Sequence, residues 1–145
     1  LIGGYFANKW KAKTPSGYAK LLLISVLCAV PFSFVSFLTE NTLLSMICIA
    51  LSLIFLFQST GPINTVIVES VAPNMRASAM AICIFMIHAF GDLWSPELVG
   101  RVSDQFGGNL RIGMLILPGA FLLAAFFWFL LVKEQNRKGE AELSE

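Results

Sequence analysis

The sequence predicts an all-α integral membrane protein with four transmembrane helices. Three observations carry that expectation. Of 145 residues, 57 % are hydrophobic and 13 % charged, against roughly a quarter charged in an ordinary soluble domain. The mean hydropathy is +0.76, as in a chain solvated largely by lipid. The charges are also clustered, leaving apolar runs of the length a bilayer demands, about 20 residues at ~1.5 Å rise each.

The elements come in order along the chain. Leu1 to Phe6 reads as the tail of an earlier helix and, with the loop up to Lys20, forms an opening segment over 1–20. Nineteen uncharged residues separate Lys20 from Glu40, and twenty-eight separate Glu40 from Glu69. These predict spans over about 21–38 and 42–70, joined by a link at Thr39-Glu40-Asn41 so short that the two helices must form an antiparallel hairpin. The second run is longer than a perpendicular crossing needs, and Gly61-Pro62 in its middle predicts a kink or local unwinding. A third span, 77–100, is interrupted by His88, Asp92 and Glu97, and a fourth, 112–132, is a clean run of twenty-one residues from Ile112 to Val132. Pro31, Pro96 and Pro118 mark bends. Residues 133–145 are expected to be a solvated tail. Breaks of this kind are tolerated in a membrane only where other helices or a wet cavity satisfy the freed carbonyls, so the spans predict a bundle that encloses something.

Alternating crossings give an orientation. One side carries Lys9, Lys11, Lys13, Lys20, Arg76, Lys133, Arg137 and Lys138, and the other only Arg101 and Arg111; eight against two places the first side, with the C-terminus, in the cytoplasm. Leu1 is no initiator Met, and the cations follow the first apolar stretch instead of preceding it, unlike a signal peptide. The chain therefore reads as the C-terminal part of a larger membrane protein.

Other classes fit poorly. A net charge of +1 supplies no field for nucleic acid. Cys28, Cys48 and Cys83 sit in apolar runs without zinc-site spacing or an even count, and read as small buried hydrophobes. A membrane-embedded enzyme lacks support: there is one His, no metal-ligand cluster and no nucleophile with a base in reach. No cofactor is implied.

Ionisable groups in hydrocarbon cost ~2.5 to 3.5 kcal/mol on insertion scales and mark functional candidates. At ~100° per residue, Ala77, Ala81, His88, Asp92 and Ser95 fall near one line of the third span, a small and polar stripe suited to face protein and not lipid. His88 lies ~16 Å from Ala77, near mid-membrane, and Asp92 comes one turn later, within touching distance at i, i+4. Imidazole is the side chain whose charge changes in the physiological range, so the pair is a candidate proton carrier or cavity lining. The equally open alternative is a hydrogen-bonded pair that glues the third helix to a neighbour. Glu97, on the opposite face, reads as a solvated or interfacial cap.

On the second span Gln58, Pro62, Thr65 and Glu69 share a line. Gln58 is the mid-depth candidate for substrate contact, and Glu69, at the cytoplasmic mouth within reach of Arg76 or a cationic loop, is a gating candidate. Asn64 either joins the pathway, if Gly61-Pro62 unwinds the helix, or satisfies the carbonyls that Pro62 frees.

One segment is distinctive as a whole. Pro73-Asn74-Met75-Arg76-Ala77-Ser78-Ala79-Met80-Ala81, followed by Phe85, His88, Gly91-Asp92, Ser95-Pro96, Gly100 and Ser103-Asp104, resembles the end of the tenth and the eleventh helix of spinster-like major facilitator transporters. Gly61-Pro62-x-Asn64 fits too. The opening Gly3-Gly4-Tyr5-Phe6-Ala7-Asn8-Lys9 looks like the superfamily's loop between helices eight and nine, with Asn8 where that loop normally has an acid. The resemblance implies that the fold is the C-terminal part of a major facilitator bundle, helices nine to twelve, in which two halves rock about a central site. It also implies a cytoplasmic gate to which Asn8, Lys9, Glu69 and Arg76 belong, with one carboxylate fewer than usual.

The resemblance further implies a secondary transporter of lysolipid- or sphingolipid-type or other amphipathic organic anions, coupled to protons in some members. The expected partners are the bilayer, a small-molecule or lipid substrate, protons and the transporter's remaining N-terminal helices. Compact loops and a short tail suggest a bacterial inner membrane. Rival readings are a major facilitator of another substrate class, such as an organic acid, sugar acid or drug, and a non-transporting scaffold, which would need no mid-depth titratable pair.

Overall fold

The computed structural model describes residues 2–12, 14 and 16–143. Leu1, Lys13 of the cytoplasmic charge count, and the tail residues Ser144 and Glu145 lie outside them. Every regular element among the described residues is helical, and four segments are long and apolar enough to cross a membrane.

A short helix, α1 (Ile2–Lys11), turns at Gly17 into α2 (Gly17–Leu38). The corner is tight, because a Cβ on Gly17 would fall 2.2 Å from the Lys11 nitrogen. A side chain there would collide with backbone, which cannot rotate away. Helix α2 is the centre of the bundle. Leu22, Ser25, Val26, Ala29, Ser33 and Ser36 are buried along it, at the three- and four-residue spacing of a helix seam. Small residues let backbones approach, and membrane helices gain from such packing since lipid is as apolar as leucine. The serines are satisfied: Ser33 and Ser36 donate to carbonyls three residues back, while Ser52 and Ser45 of the next helix donate to the Ala29 and Ser36 carbonyls. The helix runs unbroken through Pro31.

The second span is two helices, α3 (Thr42–Phe57) and α4 (Thr60–Glu69). Asn41 caps the first through a 3.2 Å bond from the Leu44 N–H, which closes the hairpin with α2. The break falls at Gln58-Ser59 and not at Gly61-Pro62. Pro62 sits in the first turn of α4, where a missing N–H costs nothing, so the interruption lies before it. The carbonyl of Gln58, which no proline N–H can reach, lies against α1, so close that a Cβ on Gly3 would stand 1.9 Å from it.

The third span begins with a 3-10 turn at Pro73–Met75, continues as α5 (Arg76–Met86), passes through a π-helical turn at Ile87–Asp92 and ends as α6 (Ser95–Gln105). Gly107 and Gly108, both at positive φ, let the Gly108 N–H return to the Ser103 carbonyl at 2.9 Å and close α6. Helix α7 (Leu110–Met114) then packs on α6 with Gly113 in backbone contact with Val99. The last helix, α8 (Ile116–Leu143), lies along α2 and continues through the charged segment after Val132. Glu134 there pairs with Arg137 and Lys138 one turn on, a spacing that supports a solvated helix. Pro96 and Pro118 both stand in first turns, so the bends they mark lie just before them.

Candidate functional site

The His88 and Asp92 side chains meet: Nδ1 to Oδ2 is 2.5 Å. They do so inside the π-turn, in which the Leu93 N–H reaches the His88 carbonyl at 3.1 Å, five residues apart. Such a turn holds one residue more than an α turn, and π-turns recur at functional sites. Its extra residue also shifts the helical phase of α6 relative to α5. The stripe expected at a uniform 100° therefore runs from Ala77 to His88 and loses register before Ser95.

Both side chains are 67 % exposed, and no residue of the span's most apolar stretch is buried. The half-buried positions of α5, Ala79, Met80 and Cys83, lie on the side away from Ala77, Ala81 and His88. The pair thus stands on a face that no other helix covers among the described residues. Glu97, at the start of α6, is held by Arg101 at 2.7 Å.

Gln58 is placed differently from what its depth suggested. At the break between α3 and α4, its Nε2 donates to the buried Ser25 hydroxyl at 3.0 Å, which ties it to α2. Asn64 is exposed and makes no side-chain hydrogen bond among the described residues, so the carbonyl that Pro62 frees meets Gly3 and not an asparagine amide.

At the cation-rich end of the bundle, Glu69 pairs with Lys11. Arg76 forms no ion pair among the described residues, and neither does Lys9. The Lys11 ammonium stands 4.7 Å above the centre of the Tyr18 ring, a favourable cation–π position. The Tyr18 hydroxyl donates to Asn8 Oδ1 at 2.6 Å. Asn8 therefore accepts a neutral hydrogen bond at the place where an acid would bind a cation. The link before α2 is fastened to the last helix by Ser16, whose hydroxyl donates to Asn136 Oδ1 at 2.6 Å. Three of the four expected gate residues thus sit on the elements that meet here, and the basic partner of Glu69 is Lys11, which the sequence did not single out. Its signal was present: Lys9 and Lys11 share one turn of a short helix, and either could reach. No group of His, Cys, Asp and Glu among the described residues could hold a metal.

The chain is 32 % identical over its whole length to a probable sphingolipid transporter, spinster homolog 1, of Arabidopsis thaliana, and 33 % identical over 90 % of its length to the third such homolog of that plant. The chain belongs to the spinster-like major facilitators. It spans 29 % and 25 % of those two relatives and corresponds to their C-terminal part. It is also 27 % identical over 97 % of its length to the sphingosine-1-phosphate transporter SPNS2 of Xenopus tropicalis, and 26 % identical over 95 % to an MFS-type efflux pump of Mycolicibacterium smegmatis, covering 31 % and 33 % of them. No family model matches the chain, and no solved structure does.

Among the described residues, no other helix covers the face of the third span that carries His88 and Asp92. The chain is a multi-pass membrane segment.

Proposed function

We propose that the chain is the portion from helix nine to helix twelve of a secondary transporter that moves lysolipid- or sphingolipid-type or other amphipathic organic anions in exchange for protons. The observation that carries this reading is the His88–Asp92 pair, in contact at 2.5 Å on a face of the third span left uncovered among the described residues. An ionisable pair in hydrocarbon is costly, and two residues that only glued helices together would be expected to reach a helix already present. The pair instead satisfies only itself, as a proton-carrying couple in a passage would.

The names of the relatives supply the substrate class. Three plant relatives are named for sphingolipids and an amphibian one for sphingosine-1-phosphate. A second reading, a different organic substrate such as a drug, is favoured by the mycobacterial efflux pump. The charge asymmetry orients the chain with Lys11, Glu69, Arg76 and the last helix's end in the cytoplasm. There the Lys11–Glu69 pair, with Asn8 beside it, closes the cytoplasmic side, and Lys9 and Arg76 attract anions to it. Asn64, exposed after the break, lines the path, while Gln58 serves it by fixing that break against α2.

The test uses the full-length transporter in proteoliposomes. His88→Gln and Asp92→Asn are expected to abolish the dependence of uptake on a pH gradient while expression is maintained. Unchanged coupling in both variants rejects the proton role. A panel of lysolipids, sphingoid phosphates and drug-like anions, scored by thermal stabilisation in detergent, separates the two substrate readings.

A further inference from the structure

The cation-rich end holds a polar cavity of about 170 Å³, lined by Lys11, Tyr18, Val66, Glu69, Ser70 and Gln135. Lys11 and Glu69 line it as an ion pair, with side chains 37 % and 45 % exposed. Gln135 of α8 lines it too. Its Oε1 is shielded from solvent and accepts no hydrogen bond among the described residues. A shielded amide oxygen without a donor is costly, so it is a site in want of an N–H. Among the described residues lining the cavity Lys11 is the one cation, and its ammonium has three donors to share.

The two acceptors within the cavity stand on different kinds of element. Gln135 precedes Asn136, which Ser16 fastens to the start of α2, so its place is fixed relative to the bundle's central helix. Glu69 is the last residue of α4, a ten-residue helix bounded by the break at Gln58-Ser59 on one side and the turn before Pro73 on the other. Asn8 contributes no competing charge, because its amide is neutral, and its Oδ1 already accepts from the Tyr18 hydroxyl.

We propose that Gln135 is a positioning residue of the cytoplasmic gate: it is the second acceptor for Lys11, receiving the ammonium when α4 carries Glu69 away. This rests on the reading of Lys11–Glu69 as a gate. Lys11 then moves between a charged and a neutral acceptor without passing through water, and the open state keeps a hydrogen bond that it would otherwise lose. The choice of a neutral acceptor sets the direction of the bias. A carboxylate at position 135 would compete with Glu69 on equal terms, whereas glutamine yields to it and leaves the closed pair favoured.

The experiment uses the full-length transporter in membranes, with Cys28, Cys48 and Cys83 replaced by alanine and Val66→Cys as the reporter, labelled by a membrane-impermeant maleimide from the cytoplasmic side. Q135E is expected to raise the labelling rate about tenfold, and Gln135→Leu to lower it about threefold. In a Lys11→Gln background both effects should shrink to less than twofold, because the competition needs the ammonium; the double-mutant comparison isolates that coupling. If Q135E does not fold, as judged by gel filtration, Gln135→Leu with and without Lys11 gives the same comparison. Effects equal with and without Lys11, or no effect in either background, overturn the proposal. Glu69→Gln separates the two layers. If it leaves labelling unchanged, the gate itself fails; if it raises labelling while the Gln135 variants do not act through Lys11, only the second acceptor fails.

Discussion

The first and third spans are both apolar and of crossing length, yet they spend their polar residues in opposite ways. Helix α2 has 44 % of its most apolar stretch buried, and the third span has none. The buried serine hydroxyls of α2 are used inside the chain, on carbonyls or on the Gln58 amide. Those of the third span's polar groups that pair do so within the span, His88 with Asp92 and Glu97 with Arg101. By length and composition both are able to cross a membrane. They differ in where the polar groups find partners: Ser25 of α2 is reached by Gln58 of the second span, whereas the pairs of the third span lie within it.

The same substitution placed in both regions breaks that comparison most sharply. Gly3→Ala and Gly17→Ala put a Cβ 1.9 Å and 2.2 Å from backbone atoms and should prevent accumulation of folded full-length protein, as read by fluorescence-detected gel filtration. Gly91→Ala, whose Cβ meets nothing within 4 Å, should accumulate like wild type. Next in size, Ala29→Leu overfills the seam of α2, where Ala29 is fully buried, at a cost of about 1–3 kcal/mol. A matching Ala81→Leu on the exposed stripe should leave the thermal midpoint in detergent unchanged.

Smaller again, Ser25→Ala removes the partner of Gln58 and should cost about 1 kcal/mol in the same thermal assay without altering pH-dependent uptake. Asp92→Asn should do the reverse. Its exposed pair contributes no more than about 1 kcal/mol to stability, so the melt barely moves while proton coupling disappears. A large stability loss in Asp92→Asn would mean that the pair is glue.

The number of spans was legible because hydrocarbon excludes charge: Glu40 falls in the link between two helices and Glu69 ends one, while Lys20 lies inside α2, which begins at Gly17. The His88–Asp92 contact was legible for a similar reason, since a separation of four residues on any helix brings side chains together. Other features depend on matters that spacing does not encode. The π-turn is a backbone choice within Ile87–Asp92, invisible to a uniform 100° step. The break before Gly61-Pro62 arises from where α4 starts and how Gly3 crowds the Gln58 carbonyl. The pairing of Glu69 with Lys11 in preference to Arg76, and of Gln58 with Ser25, is decided by how α1 and α2 fold back on the second span. The helical run of α8 beyond Val132 required only that Glu134, Arg137 and Lys138 satisfy one another.

The central claim is that His88 and Asp92 face water within the working transporter. The most direct measurement is the reaction of His88→Cys and Asp92→Cys, in otherwise cysteine-free full-length protein, with a small charged methanethiosulfonate reagent, compared with Leu22→Cys in the α2 seam. Rapid modification of the first two from at least one side of the membrane, and none of the third, is the expected result. Protection of both positions in every state reached with and without substrate and a pH gradient would contradict it.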